Sequence, residues 1–198
     1  METRVRKIVT GGVFSALIIV LGISGLGFIP LPGGAAITIL QVPVIIAAIL
    51  EGPLVGLCTG LLFGIFSVIV ASMAAVSPFD LAFIQYPWIA IVPRILIGPA
   101  AWLLYTLISG SFNKEKPVRP VRGIAAISIG TVTGSLVNTV LVLSGLTITL
   151  PEILNWPIVF KLISFNGIIE AAFSAAISLA VILPWKGISG RKKSKLNR

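Results

Sequence analysis

Apolar runs separated by brief polar or Pro/Gly-rich breaks make up nearly all of this chain, and each run predicts a helix. A bilayer core about 30 Å thick takes roughly 20 apolar residues per helical crossing. On that measure span 1 covers about Ile8 to Leu26, span 3 Leu54 to Ala75 and span 4 Pro87 to Ile108. Span 5 covers about Gly123 to Leu143 and span 6 Ile158 to Leu183. Span 2, about Ile37 to Leu50, is short for a crossing; it either borrows loop residues or sits within the bundle. Glu51-Gly52-Pro53 then predicts a tight turn, because Gly permits the reversal and Pro presets the backbone of a helix start. The remaining breaks on that pattern are Gly27–Ala36, Val76–Tyr86, Ser111–Arg122 and Ser144–Pro157.

Charge orients the pattern. Ser111–Arg122 carries Lys114, Glu115, Lys116, Arg119 and Arg122, broken by Pro117 and Pro120, and is the one internal stretch that could not sit in hydrocarbon. Arg4, Arg6 and Lys7 precede span 1, and Lys186, Arg191, Lys192, Lys193, Lys195 and Arg198 follow span 6. Basic residues beside membrane helices stay on the cytoplasmic side. The other three breaks hold no Lys or Arg, only Asp80 and Glu152, and therefore read as outer loops. The expectation is an all-α integral membrane protein, a bundle of six transmembrane helices with both termini cytoplasmic. Residues 1–185 form its single domain and 186–198 a basic cytoplasmic tail. The net charge of +9 is accounted for by this bias and gives no reason to invoke nucleic acid.

Composition agrees and narrows the chemistry. With 57% hydrophobic residues and a mean hydropathy of +1.09, the chain does not suit a soluble domain. Its first apolar run continues past signal-peptide length with no A-x-A-like site, so it reads as a retained helix. Histidine is absent and Cys58 is the single cysteine, which removes the commonest metal ligand and general base and any disulfide framework. Gly22-Ile-Ser-Gly25 and Gly187-Ile-Ser-Gly190 match the GxSG around an intramembrane serine nucleophile, but no histidine exists to activate either serine. No aspartate pair is spaced for Mg²⁺–diphosphate work, and no phosphate-binding G-x-x-x-x-G-K-[ST] loop occurs. The chain is expected to be no enzyme, to need no cofactor, and not to hydrolyse ATP alone.

Small residues mark where helices approach closely. Gly52, Gly56, Gly60 and Gly64 recur every four residues in span 3, and Ala126, Gly130 and Gly134, continued by Asn138, repeat the device in span 5. Ala172, Ala176 and Ala180 do so in span 6. Gly12 and Ala16 form a small ridge on span 1, open to two readings: internal packing or a surface for another protein.

Ionisable groups at membrane depth are costly and usually face a cavity or a partner. Arg94, Lys161, Glu170 and Glu51 lie within spans or at their mouths. Arg94 with Glu170 makes a plausible cross-helix pair that either locks the bundle or lines, with Asn138 and Asn166, a polar pocket open to the outer face. Trp88, Trp156 and Tyr86 sit at outer helix ends, as an interfacial belt or as a lid.

The chain resembles the substrate-binding S components of energy-coupling factor (ECF) vitamin transporters over nearly its whole length. The resemblance is carried by Gly27–Ser67 (GFIPLPGGAAITILQVPVIIAAILEGPLVGLCTGLLFGIFS), PRILIGPAAWLLY at Pro93–Tyr105, NTVLVL at Asn138–Leu143 and NGIIEAAFSAAI at Asn166–Ile177. It implies a protein of a prokaryotic cell membrane that captures a water-soluble vitamin from outside. Such a protein docks on a transmembrane scaffold subunit driven by two ATP-binding-cassette ATPases. The family's first helix meets the scaffold through an A-x-x-x-A pattern, which Gly12 and Ala16 match with Gly in place of the first Ala. The family's site, at the outer ends of later spans and in outer loops, directs attention to the loop before Gln41, the loop containing Asp80, Arg94, Asn138, Asn166 and Glu170; with Trp88 and Lys161 from the residues themselves, the candidate substrate-binding set is Gln41, Asp80, Trp88, Arg94, Asn138, Lys161, Asn166 and Glu170. A cation at Arg94 or Lys161 would suit a carboxylate, which leans the cargo toward pantothenate. The rival readings are a solitary facilitator or channel and, with less support, a membrane-embedded lipid or prenyl enzyme.

Overall fold

The computed structural model describes residues 2–30, 36–73, 75, 78–110, 120–152 and 154–187. The charged cluster Lys114–Arg119, residues 31–35 of the first expected outer loop, and the tail beyond Gly187 lie outside the described residues. The elements are α1 (Glu2–Ile23), the strands β1 (Phe28–Pro30) and β2 (Ala36–Thr38), α2 (Gln41–Glu51), α3 (Pro53–Met73), α4 (Pro78–Gln85), α5 (Pro87–Ser109) and α6 (Pro120–Thr149). They are followed by α7 (Trp156–Leu162), a π-helical turn (Ile163–Gly167) and α8 (Ile168–Trp185), which run on as one continuous helix. Proline opens α3, α4, α5 and α6, where its missing N–H costs nothing. Gly110, at φ 69°, closes α5 in the left-handed conformation that glycine accepts freely.

Among the described residues five helices are long and apolar enough to cross a membrane: Arg4–Ile23, Pro53–Met73, Pro87–Ser109, Pro120–Thr149 and Trp156–Trp185. The expected span Ile37–Leu50 is not a full-length helix. Residues 36–38 pair with β1 in an antiparallel hairpin, and only the 11 residues of α2 are helical, roughly 16 Å or half the hydrocarbon thickness. Every residue of α2 is buried, as a helix apolar all round should be. The three residues of β2 before it add about 10 Å, because a strand rises about 3.3 Å per residue against 1.5 Å in a helix. At one end Ile39 N–H donates to Gly27 O (3.0 Å), just past α1; at the other Arg6 Nε donates to Glu51 Oε1 (2.8 Å), near the start of α1. Thus β2 and α2 together run antiparallel along α1.

The glycine series of α3 faces α5. A Cβ on Gly56 would lie 3.0 Å from Gly98 Cα, one on Gly64 would lie 2.7 Å from Ile91 Cα, and one on Gly60 would overlap the carbonyl oxygen of Arg94. On α6, Gly130 abuts Ala101 O and Gly134 abuts Ile45 and Ala101. Backbone thus packs on backbone along the α3–α5–α6 layer. Ala172, Ala176 and Ala180 point outward instead. Gly60→Val is expected to destabilise the protein by about 1–3 kcal/mol or more, because a backbone oxygen cannot move aside as a side chain can. A thermal melt in detergent reads this. Gly12→Val, where a Cβ meets nothing within 4 Å, should leave the melt unchanged.

Helix α1 is held on one side only. Gly11, Phe14, Ile18 and Gly22 face α2 and α3, with Ile18 fully buried and Gly22 tight against the Phe66 ring. Gly12 and Ala16 lie on the opposite, exposed side with Ile8, Val9, Val13 and Val20.

Candidate functional site

Where α1, α3 and α6 end and α5 and α7 begin, the helices diverge around a cavity of about 690 Å³. Its walls are mainly apolar: Phe63, Phe66 and Val70 from α3, Phe79 and Phe83 from α4, Val142 and Leu146 from α6, Ile158 and Leu162 from α7. Thr38, Asp80, Arg94, Asn138, Thr139, Asn166 and Glu170 add polar groups. A concave apolar space with a few convergent polar groups is the usual form of a small-molecule site.

Two segments expected as loop are helical, and both shape this space. α6 continues through Thr149, past its expected end at Leu143, which brings Leu146 to the wall. The hydroxyls of Thr147 and Thr149 donate back to the carbonyls of Leu143 and Gly145 (2.7 and 2.9 Å), so these β-branched residues stay within the helix. The outer loop before α5 folds as α4, whose Phe79, Asp80 and Phe83 cover one side of the cavity.

Arg94, one residue after Pro93, is buried in α5. Its guanidinium lies 5.0 Å from the centre of the Phe83 ring and 5.6 Å from that of Phe63, and Nη1 donates to Ile89 O at 3.2 Å. The Nε is buried without a hydrogen-bond partner. Aromatic faces attract a cation but do not replace an oxygen acceptor. Among the described residues Arg94 and Glu170 line the same cavity without forming a direct ion pair.

Glu170 is satisfied elsewhere. Its Oε1 accepts from the Thr38 N–H and its Oε2 from the Thr139 hydroxyl, both at 3.0 Å. One carboxylate therefore ties the hairpin, α6 and α8 together at the cavity edge. Its alignment depends on the π-helical turn. Ile158, Leu162, Asn166 and Glu170 all reach the cavity at four-residue steps, a spacing that drifts about 40° per step in a straight α-helix. The wider turn at Ile163–Gly167 takes up part of that drift.

Gln41 does not line the cavity; it is 0% exposed and sits one layer behind. Its Nε2 donates to Ser135 Oγ (2.7 Å) and Ser174 Oγ (3.3 Å), and its Oε1 accepts from Asn138 Nδ2 (3.0 Å). Of the residues singled out from the sequence, Asp80, Arg94, Asn138, Asn166 and Glu170 are thus brought together on the wall. Trp88 and Lys161 are not. Trp88 is 48% exposed at the start of α5, and Lys161 is exposed on α7. Position in the chain puts both at the right level, but the helix phase turns them away. The sequence reading missed Thr139 and Thr38. Thr139 was open to discovery from its four-residue step beyond Ser135, whereas Thr38 acts through its backbone and leaves no side-chain signal.

The family described as the ECF transporter substrate-specific component matches residues 6–185, almost the whole chain. The chain belongs to this family. It is therefore a transporter component and a multi-pass membrane protein. It is also similar to the pantothenic acid transporter PanT of Lactococcus lactis subsp. cremoris (strain MG1363), with 27% identity over 160 residues, covering 73% of this chain and 75% of that protein.

Proposed function

We propose that this S component captures a small carboxylate-bearing vitamin, pantothenate before others, in the cavity between α3, α4, α6 and α7. The observation that carries the reading is Arg94: a buried guanidinium at the wall with an unpartnered Nε. A ligand carboxylate would supply the acceptor that the protein does not, in a setting where charge-assisted bonds are strong. Glu170 does not compete for that role, since both its oxygens have nearer donors. The printed name of the Lactococcus relative points to the same cargo. Asp80, Asn138 and Asn166 would complete the contacts.

In this reading β2 with α2 counts as a crossing, so the chain crosses the membrane six times with both termini in the cytoplasm of a prokaryotic cell. The cavity then opens outward. A scaffold subunit docks on the Gly12 and Ala16 side of α1, and two ATPases drive release.

Purified protein melted against pantothenate, riboflavin, thiamine, biotin, folate, pyridoxine, niacin and cobalamin tests the assignment. A ligand at 100 times its dissociation constant adds about 2.7 kcal/mol, a visible shift. Pantothenate is expected to give it. A shift with thiamine and none with pantothenate would overturn the carboxylate assignment, and a flat panel with folded protein would favour a facilitator.

A further inference from the structure

We infer that the Arg6–Glu51 ion pair is a positioning device for docking: it fixes the rotation of the inner half of α1, and so the direction in which Gly12 and Ala16 face. The inference rests on reading those two residues as the surface that meets the scaffold. Glu51 closes α2 at its turn into α3, at the far end of α2 from the cavity wall that Thr38 and Leu40 help to form. Its side chain is 1% exposed, and its Oε1 accepts from Arg6 Nε at 2.8 Å, on a side chain that is itself 58% exposed. A carboxylate taken out of water needs a cation, and here the cation comes from a helix that packs on one side only.

The rest of α1 shows why one contact can set a rotation. From Arg4 to Leu17 no residue is buried, and Ile18, the first that is, lies in the outer half. Phe14 is half-buried against the core, and Gly11 approaches Val55 without a side chain to lock the helix. Arg6 lies about three turns from Ile18, so the two hold α1 at well-separated points. Apolar packing is non-directional, whereas a hydrogen-bonded ion pair has a preferred geometry and resists rotation. Rotation matters because the small-residue ridge is narrow. Ile8 and Val9 sit roughly 40° and 60° round the helix from Gly12, and Val13 roughly 100°. All three are exposed. A modest turn of the inner half would put a branched side chain where two backbones touch, and contact between small residues depends on that close approach. Arg6, roughly 120° from Gly12, shapes the docking surface without belonging to it.

The experiment measures how much scaffold subunit co-purifies with the tagged protein from cells that also express the scaffold and ATPases, beside a melt of each variant without cargo. Arg6→Gln combined with Glu51→Leu removes the pair and leaves no buried charge, an exchange that is often neutral or stabilising. This variant is expected to melt near wild type and to retain at least about fivefold less scaffold, because the small-residue approach is lost. Arg6→Lys keeps a cation for Glu51 and is expected to retain scaffold within about twofold of wild type. Arg4→Gln removes the same charge from the same end of α1 and is expected to retain as much as wild type, which separates the pair from bulk charge. Full retention by the Arg6→Gln, Glu51→Leu variant overturns the inference while docking on α1 stands. So does an equal loss in Arg4→Gln or Arg6→Lys, or a loss that tracks a lowered melt. No scaffold with wild type, or full retention when Gly12→Leu and Ala16→Leu are combined, overturns the docking reading itself, and this inference with it.

Discussion

Arg94→Ala is expected to weaken pantothenate by about 2–5 kcal/mol, roughly 30- to 5,000-fold, because removing one partner leaves the carboxylate buried and unpaired. Without ligand the variant should melt close to wild type. The guanidinium makes one hydrogen bond, to Ile89 O, and two aromatic contacts, and leaves Nε unpartnered, so little stability depends on it. Arg94→Lys should recover part of the affinity, since lysine restores the charge but not the planar two-point contact. Calorimetric titration beside an unliganded melt separates the outcomes. Collapse of the unliganded protein would make Arg94 a structural residue, and unchanged affinity would place the cargo elsewhere.

The second large effect is expected far from the cavity. Enlarging Gly12 and Ala16 together to Leu should abolish uptake and leave vitamin binding within about twofold, because small residues let two helices approach to backbone contact and leucine forbids it. Nothing inside the protein opposes the change: Gly12 has open space where its Cβ would be, and Ala16 is exposed. Uptake of labelled pantothenate by cells that also carry the scaffold and ATPases, set beside binding to the purified double variant, measures both halves. Unchanged uptake would show that the scaffold meets another face.

The long apolar helices were legible in the sequence because a membrane imposes one length and one polarity on each. The packing faces of α3 and α6 were equally plain, since glycine at four-residue steps has few other uses. Span 2, expected to be short and to borrow loop residues or sit within the bundle, was legible only in outline. Hydropathy registers Ile37 to Leu50 as one apolar run, but residues at its start pair as a strand, and burial on every side imposes no crossing length on the rest. The site was half legible. Arg94, Asn138, Asn166 and Glu170 stood out because polar groups at depth are rare. Whether such a group reaches the cavity depends on helix phase, which the π-helical turn alters for Asn166 and Glu170. Phase also excludes Trp88 and Lys161. The separation of Arg94 from Glu170 could not be read from the chain, because it depends on the local donors Thr38 and Thr139 that hold the carboxylate.

Complete burial of α2 bears on how the protein is made. Eleven residues, with Gln41 and Glu51 at the ends, are too few to partition into a bilayer as an independent helix. Most membrane proteins are described as inserting stable helices first and associating them afterwards. That order fails for this stretch, which has a stable place in the membrane only once α1, α3, α5, α6 and α8 surround it. For α2, insertion and folding are one event, and a nascent chain halted before α6 and α8 would hold its most completely buried helix with nowhere to put it.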